Sequence, residues 1–442
     1  MEILVEASKR RPGAGGGMEQ EILARLRAAP DNVSILLELQ TYYNEHARYE
    51  EEVAILRQLL ELELSAEEHA ETLHDLVHAL YRQGSVEEAM AQAEDLITAY
   101  PDYRHLGSVY WFLGTMYTDR ANWSEYRDTT WQQDVEAAKR NLRIALNYVE
   151  DKQERAGVLV ELGAALSISA ELVEAQRAFE QALNSGIEDP VTLTTCYERL
   201  GRVLYRQDQI EQATQYCEKA VLVCPEQPSN SRALAYVDLA RICREQGDSE
   251  RAEQHCEQAR QVLDKRNPRE ESLVLGSIYE ELGDISFEKA EYQRAADNYK
   301  AALGQVQLPE EKDELYYKLM VALRWDGQYE QALEAMREAL TLALSSQPIN
   351  EEHVGELLFH MGDCAYGLHD YHQAIMLLEK ATEKVNLPVL AEAHLLLGHS
   401  YFGLGRFGEA AECYRKAIAQ TKFLSPSWRQ AVRYYVWARK AR

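Results

Sequence analysis

Two histidines one helical turn apart, His74 and His78 in the stretch HDLVH, have residue types and spacing that could do chemistry. On one face of a helix an i, i+4 pair can offer two imidazole nitrogens to a transition metal. The stretch lacks the glutamate of the zinc-hydrolase motif, and the sequence supplies no evident third ligand. A structural role or a place on a binding face is therefore expected, with no metal and no other cofactor. His369 and His372 flank Asp370 in GLHDYHQA and read as surface positions in a turn. The seven cysteines are Cys196, Cys217, Cys224, Cys243, Cys256, Cys364 and Cys413; they are odd in number and form no C-x-x-C pair. Buried free thiols are expected in place of disulfides or zinc sites. No phosphate-binding glycine loop, dinucleotide fingerprint or nucleophile elbow is present, so no enzymatic activity is expected.

The balance of charge narrows the partners. Lys and Arg total 47 against 73 Asp and Glu, a net charge of −26. Sequence-independent nucleic-acid binding needs clustered cations that displace counterions, so no nucleic-acid partner is expected. No stretch approaches the roughly 20 apolar residues that span a bilayer, and MEILVEASKRRPGAGGG is too short and polar for a secretory signal. A cytoplasmic location is the expectation. At 442 residues the chain is long for one conventional core but suits an elongated array.

Such an array is written in the sequence as a repeat. YERLGRVLYRQDQIEQATQYCEKAV from Tyr197, YEELGDISFEKAEYQRAADNYKAAL from Tyr279 and HLLLGHSYFGLGRFGEAAECYRKAI from His394 share one register. With Leu-Gly at positions seven and eight, ten units start at Val33, Ala70, Gly107, Ala156, Thr194, Ala233, Gly276, Asp313, Gly355 and Ala391. Position eight is Gly114, Gly163, Gly201, Gly283, Gly362 or Gly398, with Ala240 in the sixth unit; a small residue there lets a second helix approach the first. Position twenty is Ala89, Ala138, Ala175, Ala213, Ala252, Ala295, Ala332, Ala374 or Ala410, and Glu52 in the first unit. A larger side chain would push the helices apart at a cost of about 1–3 kcal/mol. Gly84, Gly247, Gly327 and Gly405 stand at position fifteen, where a helix ends in left-handed backbone. Position twenty-four carries the filler: Phe179, Tyr299, Met336, Leu378 and Tyr414. Pro101 and Pro225, at position thirty-two, close the second helix in two units.

This pattern of Leu-Gly, aromatic, Ala, filler, Ala and occasional Pro resembles the tetratricopeptide repeat, over roughly residues 33–425. The resemblance implies an all-α fold, a right-handed α-solenoid (superhelix) of tandem helix-turn-helix hairpins. Most units exceed the family's usual 34 residues. The resulting organisation is a disordered extension at 1–17, a capping helix at 18–30, repeats over 31–425 with an insertion at 118–134, and a second capping helix at 426–442. The insertion holds Trp123, Tyr126 and Trp131. Two readings of these rings stand equally, as binding hot spots or as packing on neighbouring repeats. The basic residues of 426–442 read as a solvated cap, with contact to an acidic partner as the sharper alternative.

The resemblance further implies an inner surface built by positions two, five, nine, twelve and thirteen of each first helix. Helical periodicity independently puts the last four on one face. The fifth and sixth units place Glu198, Arg202, Tyr205, Arg206, Arg241 and Arg244 there, a local basic patch. The second unit adds His74, His78, Tyr81 and Arg82, and the eighth Tyr317, Arg324 and Trp325. The seventh and ninth are acidic, with Glu280, Asp284, Glu288, Glu356 and Asp363. The expected role is an interaction scaffold holding a protein or peptide segment with an acidic stretch, since arginine's fork suits carboxylates. The competing reading is that these arginines pair with Glu198, Glu245 or nearby acids on the second helices, exposed pairs worth about 0–1 kcal/mol each. The Lys and Asn set with which other members clamp a chaperone's terminal carboxylate is missing. A peptide-responsive regulator whose superhelix changes shape is the alternative function, and self-association is possible on either reading.

Overall fold

The computed structural model describes residues 16–122, 129–223, 228–266, 268–306, 309–345, 349–386, 389–422 and 425–442. The chain divides into two compact units, Met1–Gln209 and Ile210–Arg442. The expected extension at 1–17 lies almost wholly outside the described residues, as do Trp123, Tyr126, Cys224 and Pro225.

The first unit contains α1 (Gly16–Ala28), α2 (Val33–Glu45), α3 (Tyr49–Leu60), α4 (Ala66–Gln83), α5 (Val86–Ala99), α6 (Leu106–Asn122), α7 (Thr129–Tyr148), α8 (Lys152–Ile168), α9 (Leu172–Asn184) and α10 (Pro190–Arg206). The second contains α11 (Ile210–Val223), α12 (Asn230–Glu245), α13 (Ser249–Val262), α14 (Pro268–Glu288), α15 (Tyr292–Leu303), α16 (Pro309–Trp325), α17 (Tyr329–Ser345), α18 (Glu351–Gly367), α19 (Tyr371–Thr382), α20 (Val389–Gly403), α21 (Phe407–Gln420) and α22 (Pro426–Ala441). No strand occurs among the described residues. Each unit is a run of helical hairpins, an α-solenoid, as the repeat requires. Starts are capped locally: Ser65 and Glu68 form a capping box on α4, and Asn32, Asp151, Asp189, Asn350 and Ser425 cap α2, α8, α10, α18 and α22.

The hairpins close as the small residues demand. A Cβ on Gly163 would fall 2.7 Å from the ring of Phe179, and one on Gly114 or Gly362 would fall 2.6 Å from Leu142 or Leu378. At Gly283 and Gly398 it would meet the rings of Tyr299 and Tyr414. Position eight is thus empty because position twenty-four fills it. The position-twenty alanines, Ala89 through Ala410, are all fully buried. Glu52, which replaces this alanine in the first repeat, is fully buried too. Its carboxylate accepts a hydrogen bond from Gln40 at 2.8 Å and lies 3.9 Å from Arg82.

Position fifteen takes a left-handed backbone in nine repeats, with or without glycine. Gly84, Gly247, Gly327 and Gly405 have φ between 73° and 94°; Ala47, Ala170, Asp208, Ala290 and His369 have φ between 53° and 62°. The exception is the third repeat, where α6 continues through Ala121. The expected insertion at 118–134 therefore lengthens both helices of that hairpin, on either side of 123–128.

Successive hairpins then stack. First helices of adjacent repeats touch, α6 with α8 and α8 with α10 in the first unit, and α12 with α14 and α18 with α20 in the second. A second device joins them. The aromatic at position seventeen of one repeat covers position thirteen of the next: Tyr329 lies against Gly367, Tyr371 against Gly403, and Tyr292 stacks on Trp325. No helix among the described residues is long and apolar enough to cross a membrane.

Candidate functional site

In the first unit, α4 and α6 bring the two histidines against aromatic neighbours. His74 and His78 meet with their Nε2 atoms 3.2 Å apart, and His74 Nδ1 lies 3.2 Å from the Tyr103 hydroxyl. His78 packs on Phe112 at 4.1 Å between ring centroids, and Tyr81 meets the same ring edge-on. The Tyr81 hydroxyl donates to Asp119. Arg82 donates to Asn44 at 2.8 Å and sits over the Tyr49 ring. Burial pushes both imidazoles down to about 4, helped at His74 by His78 and His105 and at His78 by Arg82. Both rings are neutral at physiological pH, and one N–H can serve the other's lone pair. Among the described residues no group of three or more metal-ligating side chains could hold an ion.

The predicted basic patch falls on both units. In the first, Arg202 bonds Glu198 one turn back on α10, and Arg206 donates to the Ser167 carbonyl at 2.9 Å. Tyr205, between them, is half-buried, as is Trp131 on α7. In the second unit the arginines enter a network with Asp238 of their own helix and acids from the next repeat. Arg241 reaches Asp238 at 3.3 Å and Glu281 at 3.4 Å. Arg244 binds Glu281 and Glu288, both at 2.6 Å, with its side chain 14% exposed. Lys318 continues the series to Glu280 at 2.6 Å and Asp284 at 3.0 Å, and Tyr299 donates to Asp284 at 2.8 Å. Burial pushes the Glu281 carboxyl upward against the pull of Arg244 and Arg241. The competing reading holds at Arg202, which pairs with Glu198; Arg241 and Arg244 pair instead with acids of first helices, their own and the next repeat's, and Arg206 bonds a serine. Glu281, at position six of its repeat, was outside the positions chosen for the inner face; its neighbour Glu280 was inside.

The predicted residues of α16 are placed differently. Tyr317 and Trp325 are 50% and 65% exposed, two helical turns apart on one face. Trp325 has one face covered by Tyr292, at 5.8 Å and 25° between planes. Tyr317 meets His360 of α18 edge-on at 5.3 Å. Between them Arg324 binds Asp363 through Nη2 at 2.5 Å, while its Nε is buried without a hydrogen-bond partner. His360 Nδ1 is also buried and unpartnered. Burial pushes the His360 imidazole down to about 4, with Arg324 and His353 adding to the effect, so the ring is neutral. Orphaned buried polar atoms are uncommon and costly, about 1–3 kcal/mol each. His360 was not anticipated, because it falls at position six, off the face chosen from periodicity.

Six of the cysteines are free thiols, five of them buried. Burial raises Cys196, Cys364 and Cys413 to about 11–12, so none of these three is poised as a thiolate.

Residues 192–265 and residues 391–422 match models of the tetratricopeptide repeat. No curated protein matches the chain. Among solved structures, it is similar to pilF of Pseudomonas aeruginosa at 17% identity and a TM-score of 0.40, over 55% of this chain and 97% of the other. It is also similar to a monomeric mutant of IFIT1 with Gppp-AAAA, at 15% identity and 0.48, over 88% and 91% of the two chains. A third is YrrB, described as a tetratricopeptide-repeat protein with an unusual peptide-binding site, at 22% and 0.38, over 50% and 97%.

Proposed function

We propose that this tetratricopeptide-repeat protein is a binding scaffold, not a catalyst, that holds a segment of a partner protein across the face of α16 and α18. One observation carries the reading: Arg324 Nε and His360 Nδ1 lack partners beside two exposed aromatic side chains, Tyr317 and Trp325. A bound segment would cover the exposed rings and meet the part of the Arg324 guanidinium that remains open beside them. Aromatic and arginine side chains in that combination dominate binding hot spots.

The acidic stretch expected of the partner is kept at one place. Arg324 is 35% exposed and holds Asp363 through one nitrogen, so an incoming carboxylate can share or take the guanidinium. Arg244 is closed by Glu281 and Glu288, and a partner carboxylate would have to displace both. The partner segment is thus an apolar residue or two with an adjacent acid, set against α16. Self-association remains an alternative source of such a segment.

Affinity capture from the native source, with captured proteins identified by mass spectrometry, tests the reading. Wild type and Tyr317→Ala/Trp325→Ala are compared at matched thermal stability. The proposal expects the doubly substituted chain to lose specific partners at least tenfold, about 1.4 kcal/mol or more. Full retention of every partner would exclude this face.

A further inference from the structure

In a chain with 26 more acids than bases, α22 carries three cations on one face that hold no carboxylate among the described residues. Residues 426–442 contain no Asp or Glu. Arg429, Arg433 and Lys440 are exposed and make no ion pair among the described residues, whereas Arg241, Arg244, Arg324, Arg406 and Arg415 of the same unit each hold a carboxylate. Their spacing of i, i+4 and i+11 places them in one stripe, roughly 16 Å long at 1.5 Å per residue. Val436 and Trp437, at i+7 and i+8, fall in the same stripe and are each 43% exposed. The Arg433 guanidinium lies over the Trp437 ring at 4.6 Å.

The opposite face of α22 is already used. Ala431 and Ala438 are fully buried, and Tyr434 stacks on Tyr414 at 5.7 Å and meets His399 edge-on. The helix therefore cannot roll to hide the stripe without giving up this packing. Arg439 is held by the Tyr435 hydroxyl at 3.2 Å. What remains outward is a cationic track with an aromatic centre.

We infer that the outward face of α22 is a second docking surface, distinct from the α16 site, whose occupant is an acidic segment of another protein. The occupant carries carboxylates at helical spacing to meet Arg429, Arg433 and Lys440, and a Leu-like side chain to cover Val436 and Trp437. Guanidinium forks suit carboxylates. A second copy of the same helix would set like charges against one another, so α22 does not pair with itself. Two half-exposed apolar side chains offer a bilayer little to bury, which disfavours a lipid surface. Three cations on a strongly negative chain are few for a nucleic-acid track.

The test uses the full chain and a fluorescein-labelled helical peptide of about sixteen residues. It carries Glu at the three cation spacings and Leu at the two central positions; a Lys-for-Glu counterpart, phosphatidylserine vesicles and a single-stranded oligonucleotide form the other arms. The expected result is binding of the acidic peptide that weakens at least about tenfold in Arg429→Glu/Arg433→Glu/Lys440→Glu. It falls with added salt and is unchanged in Tyr317→Ala/Trp325→Ala. The Gln-substituted triple variant, whose fold is checked by circular dichroism, should also bind more weakly. Equal binding by the triple variants, no binding by wild type, or preference for the vesicles or the oligonucleotide would overturn the inference.

Discussion

The side-chain amide of Gln40 donates to the Glu52 carboxylate across 2.8 Å at a position where nine other repeats bury an alanine. The other oxygen of Glu52 has no hydrogen-bond partner. Burial raises its pKa in spite of Gln40 and Arg82. A carboxyl whose folded pKa exceeds the unfolded one stabilises most at low pH, and that contribution is lost as pH rises through the folded value.

Glu52→Gln keeps a hydrogen-bonding group and removes the ionisation. It should raise stability at pH 8 by about 1 kcal/mol, the scale of one unsatisfied buried polar group, and by less at pH 4. Urea unfolding of both chains at the two pH values measures the difference. An advantage that is larger at pH 4 would mean Glu52 is stabilised as the anion.

Five turns place a non-glycine residue in left-handed backbone, which costs an L-residue about 1–2 kcal/mol relative to its ordinary conformations. Ala47→Gly, Ala170→Gly and Ala290→Gly should each raise stability by about 0.5–1 kcal/mol despite glycine's freer unfolded state. Asp208 and His369 belong to types that tolerate the region better, so their gains are smaller. Chemical denaturation midpoints decide it, and a uniform loss would contradict the φ values.

Gly163→Ala puts a methyl group into the ring of Phe179 and should cost about 1–3 kcal/mol. The cost should shrink in a Phe179→Leu background, since the two sites share one space. A double-mutant cycle reads this directly; strict additivity would show that the glycine serves something other than the ring.

Arg244→Ala strips the nearly fully buried Glu281 of its closest cation and should destabilise the second unit by about 3–5 kcal/mol. Arg244→Leu/Glu281→Leu removes both charges and should be far milder. Thermal melts of the two variants test the contrast. Partner loss on charge reversal at Arg244 would consequently report unfolding, which makes Tyr317 and Trp325 the cleaner probes of recognition.

Much of the fold was legible because it rests on side-chain size at fixed offsets. Gly163 and Ala175 announce a close helix pair whatever surrounds them, and Gly84 announces a turn. Ala170 could not announce its left-handed turn, since nothing in an alanine requires one; the register alone implies it. The candidate site was harder to see. Periodicity selected Arg324 and Trp325 but not His360 or Glu281, which reach in from the adjoining first helix. Whether Arg244 is available or neutralised depends on contacts about forty positions away, which a single helix's pattern does not encode. The stacking of Tyr292 on Trp325 is of the same kind: each residue belongs to a visible repeat position, but their meeting belongs to the space between repeats.

Within each unit every helix packs on those next to it or one further along the chain. Interactions of such short sequence separation impose little loop-closure cost, so a hairpin can collapse as soon as its neighbour exists. Denaturation need not then be a single concerted event: terminal hairpins can melt while interior ones persist, and amide protection should decline toward the ends of each unit. A partner gripping α16 would slow exchange most in the hairpins beside it and leave distant ones nearly untouched.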